Sequence, residues 1–190
     1  QIKNTYGTGL FMMANTGPTV VETTDLISTI AIGVNGTVDY AIEGAVFTGG
    51  ALIQWLRDSL GLIESAKDTQ ALAESVDGNA GVTIIPALTG LGAPHWKPDA
   101  KGMILGLTRK ATKAHIVRAA LEAIALQSND IIDIIRNECP DISFDTLLVD
   151  GGASANDFLM QLQADVSNIT VSRPPSVEAT QHRMSVTPNR

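Results

Sequence analysis

Glycine clusters punctuate this 190-residue chain where β-prone runs meet turns or helices: Gly7-Thr8-Gly9, Gly49-Gly50 and Gly151-Gly152. Glycine lacks a Cβ, so each cluster marks backbone that turns sharply or is approached closely. The last is the most constraining. Leu147 to Asp150 reads as a buried strand, the glycine pair as a tight turn, and NDFLMQLQADVS as a helix capped by Asn156 or Ser154. A further strand follows in ITVSRPP. Strand–helix–strand order requires a right-handed crossover and parallel pairing, which makes the second half α/β.

The rest of the chain agrees. Residues 4–15 are β-prone around the Gly7-Thr8-Gly9 turn, and residues 26–33 and 37–44 flank Asn35-Gly36, a strong hairpin signal. The first third therefore reads as a β-meander. Helical spacing begins near Thr48, with Leu52, Trp55, Leu56, Ser59 and Leu60 on one face and Gly61 as the stop. A weaker helix covers 66–76. Short strands at 82–88 and 103–108 flank a Gly/Pro-rich structured loop at 89–102. A long amphipathic helix runs from Lys113 to Glu138, capped by Thr112, its buried stripe formed by Ile116, Ala120, Leu121, Ile124, Ser128, Ile131 and Ile135.

Composition narrows the function classes. A net charge of −7 argues against a nucleic-acid footprint. With 44% hydrophobic and 17% charged residues, the chain carries enough apolar surface to fold. No apolar run reaches the roughly 18 residues of a membrane span. The opening residues lack the basic-then-apolar pattern of a signal peptide. Cys139 has no partner for an intrachain disulfide, which favours a reducing compartment, and the expected location is cytoplasmic.

Two common phosphate motifs are absent: there is no Gly-x4-Gly-Lys segment, and Met12 stands where Gly7-x-Gly9 would need its third glycine. His95, His115 and His182 show no metal-ligand spacing; His115 reads as a solvated helix residue and His95 as loop packing. The three glycine turns are the positive signals. Gly7-Thr8-Gly9 lets backbone N–H groups approach an anion, and Thr8 adds a donor, though an ordinary hairpin has the same pattern. Gly49-Gly50 opens a helix with Gln54 one turn in, where an exposed amide is equally expected. Gly151-Gly152 stands beyond the carboxyl end of a strand, where open parallel sheets bind ligands, or is simply a tight β–α connection. Each is weak alone; together they suit a large nucleotide.

Four segments, NTYGTGLFMMANTG (4–17), AIEGAVFTGGALIQWLRD (41–58), PALTGLGAPHWKPDAKGMILGLTR (86–109) and LLVDGGASANDFLMQLQAD (147–165), resemble the carboxyl-terminal domain of the FGGY carbohydrate kinases, on their glycerol branch. The resemblance implies an actin-like ATPase (ribonuclease H-like) α/β domain, a mixed sheet with flanking helices, over residues 1–180. It implies phosphoryl transfer from ATP to glycerol with Mg²⁺, the chain supplying the nucleotide-binding half. By position, Thr8 corresponds to a phosphate contact, Gly50 and Gln54 to nucleotide contacts, Gly152 and Asn156 to adenine- and ribose-side contacts, and Phe11 to an aromatic against the glycerol carbons. The family's general-base aspartate sits in a Gly-Asp-Gln segment that this chain lacks, so no catalytic residue is assigned. The expected partners are glycerol and ATP, with no nucleic acid and no membrane span, and the full-length enzyme is expected to form a homo-oligomer, a dimer or tetramer. Alternatives are a non-catalytic nucleotide-binding or assembly module, or a kinase for another small polyol or sugar. Residues 181–190 depart from the family pattern: polar, without helical periodicity and containing Pro188, they are expected to form a disordered tail.

Overall fold

The computed structural model describes residues 2–33, 36–140, 142–174, 184–186 and 188. Its first strands, β1 (Ile2–Tyr6) and β2 (Leu10–Gly17), pair antiparallel across the glycine turn, with Tyr6 opposite Leu10. Next come β3 (Ile27–Ile32) and β4 (Val38–Val46), also antiparallel. Gly36, between them, has φ +78°, which only glycine adopts readily; Asn35 lies outside the described residues. A short pair, β5 (Thr83–Ile85) and β6 (Met103–Leu105), forms a separate two-stranded sheet. The last strands are β7 (Thr146–Asp150), β8 (Thr170–Arg173) and β9 (Met184–Val186). Among the described residues, the main sheet has seven strands in the order β3-β4-β2-β1-β7-β8-β9.

Strands β1, β7 and β8 are parallel, as the strand–helix–strand order requires, and the remaining pairs of this sheet are antiparallel. The first four strands are not a meander: β4 inserts between β2 and β3. Its residues explain the central place. Ala41, Ile42, Gly44, Ala45 and Val46 are buried, while β3 keeps Ile27, Ile30 and Ile32 exposed, as an edge strand can. Met184–Val186 differ from the expected disordered tail. They pair with Arg173–Val171 of β8, whose open edge supplies the unpaired N–H and C=O groups; the rest of 181–190, except Pro188, lies outside the described residues.

Among the described residues, four α-helices complete the fold: α1 (Gly50–Asp58), α2 (Asp68–Glu74), α3 (Lys113–Glu138) and α4 (Asp157–Ser167). Helix α3 matches its periodicity, with Ile116 only partly buried at the end of the stripe. In α1 the buried face is Leu52, Ile53 and Leu56; Leu60 falls beyond the helix and is exposed. Alternate sheet residues Ile2, Asn4, Tyr6, Leu10 and Met12 are fully buried. They face the helices: Asn4 Nδ2 donates to Ser128 of α3 at 3.1 Å and the Tyr6 hydroxyl donates to Gln163 of α4 at 2.8 Å. A Cβ on Gly44 would lie 2.6 Å from Ile131, so β4 meets α3 at backbone distance.

Candidate functional site

The Gly7–Gly9 turn is docked on the start of α1. The first N–H groups of a helix have no intrahelical partner. Here Gly50 N–H donates to the Gly7 carbonyl at 2.9 Å, and Gly49 and Ala51 N–H donate to the Thr8 carbonyl at 2.9 and 3.0 Å. A Cβ on Gly50 would stand 2.7 Å from that Gly7 oxygen, and one on Gly49 would stand 2.5 Å from Leu10 Cδ2. The paired glycines thus admit the turn itself rather than a ligand. What the turn leaves outward is the exposed Thr8 side chain.

The second turn divides its two glycines differently. Gly151 has φ +88°, and a Cβ there would lie 2.5 Å from the Tyr6 carbonyl oxygen, so it is required where β7 meets β1. At Gly152 a Cβ would meet nothing within 4 Å. Its missing side chain leaves open space. Residues Gly152–Ala155 form one 3-10 turn, and α4 starts after Asn156. Asn156 is the cap: its Oδ1 accepts from Leu159 N–H at 2.9 Å. Ser154 instead donates to the Gly151 carbonyl, at 2.7 Å. Arg173 braces this start, donating to the Ser154 carbonyl at 2.8 Å and pairing with Asp157.

Between these turns lies a cleft of about 560 Å³. Thr8, Gly50, Gln54, Gly152 and Asn156 all line it, so three segments distant in sequence converge. Ile53, Leu121 and Leu159 supply apolar wall, and Tyr6 forms part of the lining beside Gly7. Burial pushes the Tyr6 phenol far above its usual range, so it stays a neutral hydrogen-bonding group. Sequence reasoning missed Arg57, Lys67, Thr69 and Gln70, which also line the cleft. Arg57 and Lys67 place two cations beside it in a chain of net charge −7. Arg57 Nε and a terminal nitrogen bond the two oxygens of Asp58, at 2.6 and 2.9 Å. That contact holds the exposed Asp58 carboxyl below its ordinary range. The available signal was spacing: Gly50, Gln54 and Arg57 recur on one helical face.

Other candidates lie elsewhere. Phe11 is half exposed on the sheet face opposite α3 and does not line the cleft. Asp150 is paired with Lys3 at 2.7 Å. His95 Nε2 lies 3.8 Å from Asp130, and His115 serves as a helix cap, its Nδ1 accepting from Thr112 N–H at 3.1 Å. Among the described residues, no three of His, Cys, Asp or Glu gather to hold a metal ion, and no helix is long and apolar enough to cross a membrane.

Residues 2–182 match the FGGY family of carbohydrate kinases, C-terminal domain. Curated relatives include the glycerol kinases of Shewanella halifaxensis (55% identical over 179 residues) and Shewanella frigidimarina (56% over 179). Each alignment covers 94% of this chain, which spans only 36% of those relatives' length. Among solved structures, Plasmodium falciparum glycerol kinase with ADP superposes with a TM-score of 0.85 at 37% identity, over 93% of this chain and 35% of that one. Gluconate kinase from Lactobacillus acidophilus shares the fold at 21% identity, with a TM-score of 0.81, over 99% of this chain and 43% of that one. The mixed sheet with flanking helices is accordingly of the actin-like ATPase type, and the chain belongs to the FGGY family of carbohydrate kinases, whose C-terminal domain it matches.

Proposed function

We propose that this chain is the nucleotide-binding half of an ATP:glycerol 3-phosphotransferase, which converts glycerol and ATP to sn-glycerol 3-phosphate and ADP. One observation carries the reading: Thr8, Gly50, Gln54, Gly152 and Asn156 line a single cleft. Relatives named glycerol kinase at 55% identity, and a structural neighbour holding ADP, support it. In this reading residues 1–180 are the nucleotide-binding domain, and Met184–Val186 of the segment that follows add an edge strand to its sheet.

The cleft fits a nucleoside diphosphate. Its lining is mainly apolar with a few convergent polar groups, as small-molecule sites are, and Gly152 leaves room where a side chain would stand. Thr8 offers a hydroxyl to phosphate oxygens. Gln54 lies one turn from Gly50 on the same wall, and Gly152 and Asn156 face the nucleoside. Phosphoryl transfer depends on positioning and charge stabilisation. Mg²⁺ would neutralise charge on the phosphates; it prefers substrate phosphates and water to an all-protein cage, which suits a chain with no acidic cluster among its described residues. Phe11, exposed on the other sheet face, would pack against glycerol. The family's general base belongs to a Gly-Asp-Gln segment absent here, so this chain alone binds nucleotide without turning it over. Homo-oligomeric assembly and a cytoplasmic location of the whole enzyme are part of the same proposal.

Calorimetry with ADP, alongside a coupled kinase assay, tests this. Binding without turnover is expected. Turnover by this polypeptide would overturn the division of labour. No heat at millimolar ADP would leave the second reading, a non-catalytic assembly module.

A further inference from the structure

The Asn156 amide is held from two sides. Its Oδ1 accepts from Leu159 N–H at 2.9 Å, and its Nδ2 donates to Thr69 Oγ1 at 3.0 Å. Thr69 is almost completely buried, and its hydroxyl donates to the Ala66 carbonyl at 2.6 Å. A hydroxyl has one hydrogen. With that hydrogen committed to Ala66, Thr69 Oγ1 has only lone pairs left for its second partner. Only the NH₂ side of the amide can meet it, while a backbone N–H on the opposite side demands the amide oxygen. A second bond, from Asp157 N–H to Gln70 Oε1 at 3.1 Å, ties the same two helix starts together.

We infer that Thr69 is a positioning residue that locks the Asn156 amide in one orientation at the cleft wall and thereby sets selectivity for adenine. This rests on the nucleotide reading above. An amide has two hydrogens and ample lone-pair capacity. With one N–H and one lone pair spent on Thr69 and Leu159, Asn156 presents one donor and one acceptor side by side. The N6–H and N7 edge of adenine complements that pair, as in bidentate Asn–adenine contacts. A base with oxygen at position 6 presents two acceptors and leaves the amide oxygen facing an oxygen. An amide turned away from this edge reads neither base, so selection depends on its being held there.

Calorimetry on the 190-residue chain tests the lock with ADP, IDP and pyrophosphate as probes. Wild type is expected to prefer ADP over IDP. Thr69→Val, which keeps the shape and loses the hydroxyl, should weaken ADP about tenfold, the loss of one neutral hydrogen bond. It should bring the ADP/IDP ratio close to one and leave pyrophosphate unchanged; Thr69→Ser should restore both nucleotide values. A merely structural threonine would lower all three probes together. An unchanged ADP/IDP ratio in Thr69→Val, or a Thr69→Ser that fails to restore it, overturns the inference while ADP binding itself stands. Wild type that takes no ADP overturns the nucleotide reading and this inference with it. A wild-type measurement stands apart from any folding defect of the valine variant: one of the two Asn156 amide hydrogens should exchange slowly by NMR, and rapid exchange of both removes the lock.

Discussion

Gly151 and Gly152 are adjacent, and the chain needs them for opposite reasons. Gly151 sits at φ +88° with Tyr6 backbone where its Cβ would be. A side chain there meets both left-handed strain, roughly 1–2 kcal/mol, and a clash with backbone that cannot move aside. Gly151→Ala should lower the urea unfolding free energy by at least about 1 kcal/mol. Gly152 has no such constraint, since its Cβ would point into empty space. Gly152→Ala should leave unfolding within about 0.5 kcal/mol of wild type, yet weaken ADP binding severalfold because its methyl enters the cleft. If both variants cost stability equally, or Gly152→Ala binds ADP normally, the distinction fails. One residue earlier, burial would raise the Asp150 carboxyl, but the Lys3 ammonium 2.7 Å away outweighs it and holds the group below its usual value. The folded chain then binds that proton less readily than the unfolded one. The contribution is complete above the ordinary carboxylate range and is lost as pH falls through the lowered folded value. Urea midpoints measured against pH should show this acid loss in wild type and a smaller one in Lys3→Met.

At the scale of elements, α3 shows what a sequence makes legible. Its start at Lys113 and end at Glu138 follow from a cap and a 3.6-residue period, both local signals. His115 was less legible: it takes the place that Glu or Gln holds in a capping box, accepting from Thr112 N–H. His115→Ala should destabilise by about 0.5–1 kcal/mol, and His115→Glu should keep most of the loss from appearing in urea titration. The position of β4 was not legible, because strand order depends on which faces bury one another, here Gly44 under Ile131 of α3, 87 residues away by subtraction of their numbers. The site divides the same way. Its glycines announce themselves, since only glycine fits Gly151's backbone or the Gly50–Gly7 approach. Lys67, Thr69 and Gln70 do not, because the start of α2 reaches the cleft through tertiary contacts, while Arg57 had only its spacing from Gly50 and Gln54 along α1. Arg118 of α3 donates to the Ala73 and Val76 carbonyls at 3.1 and 2.7 Å and pins the end of α2. Neither carbonyl is visible as a partner in sequence. Arg118→Met should therefore loosen α2 and raise amide exchange across 68–74 before it affects the central sheet.

Across the whole molecule, apolar surface and charge pull in opposite directions. β3 is an end strand of the main sheet, and its Ile32 is 96% exposed and Ile30 73%. Phe11 and Met13 stay half exposed on the face away from α3. An open strand edge with apolar side chains invites pairing with another chain. Against this stands a net charge of −7, which keeps copies apart by repulsion. Range decides between them. Repulsion reaches about 10 Å at 0.1 M salt and about 3 Å at 1 M, whereas apolar contact is not screened. Self-association should therefore be weak at low ionic strength and grow with added salt. Light scattering across a concentration series at both salts would show it as a rise in mean mass. Ile32→Lys, which puts a charge on the edge without touching core or cleft, should suppress that rise while leaving ADP affinity unchanged. A mean mass independent of salt, or one that Ile32→Lys does not alter, would mean that β3 is not the surface through which copies meet.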